Sequence, residues 1–294
     1  MERMEKDRQK FIKKLDVLRA KDTFPQSLLD LLERVGTRQF QAIQEYDFSQ
    51  VAIPDIVSQD RHAQGASLLP RAQFPVFLPQ SGALFQGILE DVQPIGGDLG
   101  AGAEQVEDEL KSGALNLESL FQAYLAEDKD VFEAWAKKTP GAPRLMFFLV
   151  QSSLAPFLEG LAHRIQESTP AQNLWEHGHC PVCGSLPFIS RLENKEGLRK
   201  MFCSFCRSDY RVPRLGCVFC GEKDFKKLRY FEAEQEPGFR VDLCDQCKMC
   251  IKTVDFRNMD RVSVPVLDDL ESLTLDVLAQ SKGFVRPTLS AWGF

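Results

Sequence analysis

Apolar and polar positions follow two different rhythms along this chain. Through roughly the first 170 residues the spacing is helical. Phe11, Ile12, Leu15 and Leu18 fall on one face of the charged segment MERMEKDRQKFIKKLDVLRA. A second helix is predicted over 27–35, with Gly36 as its stop. Leu117, Leu120, Phe121, Tyr124 and Leu125 repeat the pattern, which continues through Val131, Phe132 and Trp135. Residues 144–165 read as a last apolar helix or pair of helices, interrupted at Pro156. Segment 49–81, with Pro54, Pro70, Pro75 and Pro79, is irregular and is expected to wrap the helical bundle, binding a partner being the other reading. The glycines of PIGGDLGAG (94–102) do not fit G-x-G-x-x-G, so this stretch reads as a loop and not a phosphate cradle.

Beyond residue 180 short strand-like runs take over. Leu186–Ile189 leads into a charged turn at 193–197, then Leu198–Phe202. Lys227–Phe231, a turn around Pro237 and Gly238, and Phe239–Leu243 repeat the arrangement. Leu267, Leu270, Leu273 and Val277 then predict one closing helix over VPVLDDLESLTLDVLAQ.

The cysteines explain the second rhythm. All nine lie between 180 and 250. Eight form C-x-x-C pairs: Cys180 and Cys183, Cys203 and Cys206, Cys217 and Cys220, Cys244 and Cys247. One such pair also fits a redox site, but four with ribbon-like spacing point to metal cages. Each pair forms a turn whose sulfurs converge on one ion, and Gly184 and Gly221 allow the backbone to fold back so that amides face sulfur. The internal repeat of knuckle, hairpin and knuckle favours two sequential sites, one from the first four cysteines and one from the next four. Joining the two middle knuckles is the rival arrangement. Two metal ions follow, and four thiolates suit iron or zinc equally. Cys250 makes a second C-x-x-C with Cys247, so it is either a free thiol or an alternative ligand. His177 and His179 flank the first knuckle and are expected outside the ligand set.

Charge and composition narrow the function classes. The chain of 294 residues carries a net charge of −6. Residues 1–170 hold 18 basic and 25 acidic side chains, and the remainder 18 and 17, so neither half is a basic nucleic-acid platform. A local excess of basic residues over 191–229, among Phe202, Phe205, Tyr210 and Phe219, keeps a nucleic-acid-binding zinc ribbon as an alternative. A rubredoxin-like electron carrier is a second alternative. There is no G-x-S-x-G, Walker loop or H-E-x-x-H, which argues for a binding protein and not an enzyme. The opening segment lacks the features of a secretory signal, and the mid-chain apolar run LMFFLV (145–150) is too short to predict a membrane span. The expectation is a soluble cytoplasmic protein.

The series CPVCGSLP, GLRKMFCSFCRSDYRVPRLGCVFCGE, VDLCDQCKMCIKTVD and DDLESLTLDVLAQSKGF resembles the FdhE family of formate dehydrogenase accessory proteins over about residues 175–287. The helical half resembles it only in general character. The resemblance implies a maturation factor that binds the catalytic subunit of a molybdenum- or tungsten-dependent formate dehydrogenase in the cytoplasm. It also implies two rubredoxin-like sites, with iron as the family's metal. Redox sensing would follow from that iron. Nothing is carried over onto Cys250.

The expected fold is α+β: a mainly helical domain (1–170), a first knuckle module (171–212), a second (213–262), and a C-terminal helix and tail (263–294). The subunit is expected to meet the metal half through Arg191, Arg199, Lys200, Arg207, Arg211 and Arg214. A homo-oligomer is left open.

Overall fold

In a computed structural model, residues 2–169 and 174–293 are described. Among them are ten α-helices: α1 (Glu2–Ala20), α2 (Gln26–Glu45), α3 (Gln59–Ala63), α4 (Leu78–Val92), α5 (Gly97–Lys111), α6 (Leu117–Leu125), α7 (Lys129–Lys138), α8 (Leu145–Glu167), α9 (Pro265–Glu271) and α10 (Leu273–Ser281). Six strands follow α8: β1 (Pro187–Glu193), β2 (Leu198–Cys203), β3 (Asp209–Val212), β4 (Leu228–Glu232), β5 (Phe239–Cys244) and β6 (Cys250–Val254). The chain divides into two compact units. One takes in the chain up to Ala52, Arg71–Leu161 and the chain from Trp292; the other joins Ile53–Pro70 to Ala162–Ala291. The expected domain limit at 170/171 lies outside the described residues.

In the helical unit several glycines and a proline do not play the parts their local pattern predicts. Gly36 does not stop α2, which runs on to Glu45. A Cβ there would lie 2.5 Å from the Phe11 ring, so the glycine serves close approach of α1 to α2. Pro156 does not interrupt α8. Lacking an N–H, it leaves the Ser152 carbonyl, one turn earlier, without its helical donor. The buried Gln39 side-chain amide donates to that oxygen at 2.7 Å. Gly97–Gly102, expected in a loop, is the start of α5. A Cβ at Gly102 would meet the Leu145 side chain at 2.9 Å, so packing explains that glycine. Helix α8 is long and apolar enough to cross a membrane, but 83% of the relevant window is buried inside the protein.

In the second unit the two repeats share one six-stranded sheet, ordered β3-β2-β1-β6-β5-β4. Each repeat is an antiparallel meander of three strands, and the third strands, β3 and β6, were not foreseen. The repeats join where β1 runs parallel to β6, through Ser190 beside Thr253 and Arg191 beside Val254. This is the geometry of two meanders related by translation: β6, the counterpart of β3, takes β3's direction and so lies parallel to β1. Phe188, Ile189, Phe239, Val241 and Phe284 form the core beneath the sheet.

The predicted closing helix is two, α9 and α10, broken at Ser272. A buried charge network fixes them to β6. Lys252 Nζ lies 2.8 Å from Asp269 and 2.7 Å from Asp276, and it donates to the Asp269 carbonyl. The Arg286 guanidinium contacts both carboxylates at 2.9 Å. Such a set tolerates burial only when every charge is paired.

Candidate metal centres

The eight paired cysteines gather as two groups of four: Cys180, Cys183, Cys203 and Cys206 form centre 1, and Cys217, Cys220, Cys244 and Cys247 form centre 2. The grouping is sequential. Within each, the sulfurs lie within 4.8 Å of one another. In centre 1 Cys180 and Cys206 sulfurs are 3.7 Å apart and those of Cys183 and Cys203 3.3 Å; in centre 2 the two corresponding separations are both 3.7 Å. A tetrahedral ion with metal–sulfur bonds of about 2.3 Å holds its sulfurs about 3.8 Å apart. Both groups therefore fit one ion, and four thiolates match zinc or iron. None of the sulfurs is in a disulfide.

Local backbone geometry builds each knuckle. In the first, the Gly184 N–H donates to the Cys180 carbonyl at 2.9 Å and the Ser185 N–H faces the Cys183 sulfur at 3.4 Å. The Gly221 N–H makes the same turn onto Cys217. All four residues after a knuckle's second cysteine are left-handed: Gly184, Gly221, Arg207 and Lys248. The glycines announced two of these turns. Position alone could have revealed Arg207 and Lys248.

Electrostatics supports the need for a cation. Burial pushes the Cys180 and Cys206 thiols well up, whereas hydrogen bonds from Cys180, Cys203 and Cys206 hold Cys183 well below its usual range against the same desolvation. In centre 2 burial raises Cys217, while the Cys247 and Gln246 amides hold Cys244 down despite desolvation. Four sulfurs brought this close repel one another once ionised, and a bound cation would offset that repulsion.

The cover of centre 1 comes from far away in sequence. Segment 49–81 was expected to wrap the helical bundle; its ends belong to the helical unit, but its middle, Ile53–Pro70, straps the first knuckle. Leu68 and Leu69 N–H groups donate to the Pro181 and Val182 carbonyls, each at 2.9 Å. His179 Nε2 lies 2.9 Å from the Gly65 oxygen, and His62 stacks on Trp175. His177 and His179 thus stand outside both sulfur groups, beside the strap. No local motif marks His62, Leu68 or Leu69 for this role.

Cys250 also stands apart. It is buried in the sheet's core, where desolvation and then Asp276 push its thiol up to about 11. The six basic residues are brought together only in part. Arg199 is 4% exposed, paired with Asp242 and donating to the Gly216 carbonyl, so burial removes it from any surface. Arg191 pairs with Glu193, Lys200 with Asp209, and Arg207 donates to the Ala291 carbonyl. Arg211 and Arg214 are exposed. Phe202, Phe205 and Tyr210 are buried, which takes three of the four aromatic rings from the nucleic-acid alternative.

Comparison with known proteins agrees with this architecture. The family description "FdhE, central domain" matches residues 179–214 and "FdhE, C-terminal domain" matches 215–291. An FdhE homologue from Aquifex aeolicus is 27% identical over 295 residues, covering 99% of this chain and 96% of its own. The stretch 179–291 belongs to the FdhE family. Its central domain carries all four cysteines of centre 1, and its C-terminal domain those of centre 2. Escherichia coli FdhE is 29% identical over half of each chain. The crystal structure of FdhE from Pseudomonas aeruginosa superposes with a TM-score of 0.65 at 18% identity, covering 97% of this chain and 95% of that one, and so shares the fold.

Proposed function

We propose that this FdhE-family protein is an accessory protein, not an enzyme, which binds the catalytic subunit of a molybdenum- or tungsten-dependent formate dehydrogenase in the cytoplasm during its maturation. The observation that carries this reading is the pair of four-cysteine centres within one sheet, spanned end to end by the two FdhE domains. The eight cysteines are the proposed ligands of two ions. Zinc would supply structure alone; iron would add a one-electron couple, and with it redox sensing. Arg211 and Arg214 remain candidates for steering an acidic partner, because both are exposed.

Tagged protein purified from its host should retain the catalytic subunit, and deletion of its gene should abolish formate dehydrogenase activity while the subunit is still synthesised. Activity and assembly unchanged by the deletion would refute the proposal.

A further inference from the structure

The internal repeat leaves the two outer edges of the sheet in different states. At the β3 edge the chain covers itself: the Trp175 N–H donates to the Arg211 carbonyl at 2.8 Å, and the Gln166 side-chain amide reaches the Asp209 carbonyl at 3.4 Å. At the β4 edge, among the described residues, no backbone hydrogen bond extends outward from Leu228–Glu232. Exposed aromatic surface accompanies this edge. Tyr230 on β4 is 61% exposed, and Phe225, just before it, is 76% exposed.

The first repeat shows what such an edge receives. Register with the neighbouring strand aligns the repeats: Pro187 lies opposite Cys203 as Leu228 lies opposite Cys244. Counting back from those cysteines, Ser190 opposite Met201 corresponds to Tyr230 opposite Asp242, and Arg191 opposite Lys200 to Phe231 opposite Val241. Ser190 and Arg191 are the residues to which β6 adds as a parallel strand. Their counterparts, Tyr230 and Phe231, have no such strand. The sheet therefore repeats β1 as β4 without repeating the strand that pairs with it.

We infer that β4 is a docking edge for an extended segment of the formate dehydrogenase catalytic subunit, which adds parallel to β4 at Tyr230 and Phe231 as β6 adds to β1. This rests on the accessory reading above. Backbone pairing supplies the affinity and side chains on alternate positions the selectivity. β-branched and apolar residues suit the segment, as Ile251, Thr253 and Val254 serve in β6. A second copy cannot continue the sheet head to tail, because Trp175 caps the β3 edge it would have to offer. The docked segment would lie beside centre 2, since Leu228 is registered with its ligand Cys244.

The test uses the full chain, tagged and purified from its host. A photo-crosslinking phenylalanine analogue placed at position 230 should capture the catalytic subunit; the same group at the exposed position 17 of α1 should not. Tyr230→Lys, a charge on the edge, should lower subunit recovery at least tenfold with both metal equivalents retained. Subunit recovered undiminished by Tyr230→Lys, or captured from 17 and not 230, overturns the docking edge and leaves the accessory reading standing. Capture of a second copy of the chain from 230 also overturns it. If the unsubstituted protein retains no subunit, both proposals fall.

Discussion

Centre 1 and centre 2 have the same set of four cysteines and nearly the same sulfur geometry, yet one is sealed and the other is not. The four cysteines of centre 1 are all at most 2% exposed. In centre 2 only Cys244 is buried; Cys217 and Cys247 are half-buried and Cys220 is exposed. The cause lies outside the knuckles. Ser67 of the strap sits 3.2 Å from where a Gly184 side chain would begin, whereas the same point at Gly221 faces open space. A repeat in cysteine spacing thus fixes how the sulfurs converge but not access to them. Access depends on segments that the repeat does not include.

The largest expected contrast comes from removing a ligand. Binding energy on the order of 10–16 kcal/mol for a structural tetrathiolate ion is also folding energy. Centre 1 lies within the buried core, so Cys203→Ser should prevent recovery of folded protein or lower its melting temperature drastically. Cys220→Ser should cost one metal equivalent and leave the far-ultraviolet circular dichroism close to that of the parent. Equal damage from both, by metal analysis and thermal melts, would erase the comparison.

Asp269→Asn should act on both centres together. Leaving Lys252 and Arg286 underpaired in the interior should destabilise the fold by about 3–5 kcal/mol in denaturant titrations at neutral pH. Burial opposes its charge, but Lys252 and Arg286 hold the Asp269 carboxyl below its ordinary value. Its stabilising contribution is therefore complete above the unfolded carboxylate pKa of about 3.9 and disappears as pH falls through the depressed folded value. The gap between parent and variant should close accordingly in acid. Because the network anchors β6, which joins the repeats, a chelator should extract metal faster from both centres by a similar factor. Acceleration at one centre alone would show that the repeats are energetically separate.

A smaller and selective effect is expected at the strap. Leu69 is fully buried, and Leu69→Ala should cost about 2–5 kcal/mol. Chelator should take metal from centre 2 first in the parent protein, and the variant should narrow that difference by speeding release from centre 1. An unchanged ratio of the two rates would mean that the strap is not what seals centre 1.

Much of the metal half could be read directly from the sequence. Cysteine spacing pointed to the sequential grouping, and hydrophobic runs placed β2, β4 and β5 within one residue, whereas β1 runs four residues past the expected Ile189 into the charged stretch read as a turn. β3 was missed because DYRV is short, and β6 because Cys250 drew attention as a ligand; in the fold it is a core residue of that strand. The joining of both repeats into one sheet depends on Ser190 meeting Thr253, a pairing across distant sequence that no local pattern encodes. In the helical half, Gly36 and Pro156 carried their ordinary punctuation meaning only until tertiary contacts intervened, a phenylalanine ring in one case and the Gln39 amide in the other. Arg199 illustrates the converse error. Its charge suggested a surface, but Asp242, on a strand of the other repeat, draws it inside.

The parallel joint between β1 and β6 also imposes an order on biosynthesis. Strand β1 emerges from the ribosome about sixty residues before the strand that completes it, a separation that delays closure relative to the local hairpins. The strap is made earlier still, so every part of centre 1 is available while β6 is unmade. During that interval β1 has an open edge, the state in which nascent sheets meet wrong partners. Cys244 and Cys247 immediately precede β6. Capture of an ion by the second set of cysteines would therefore draw the closing strand toward its place, making metal supply a timer for the last step of folding.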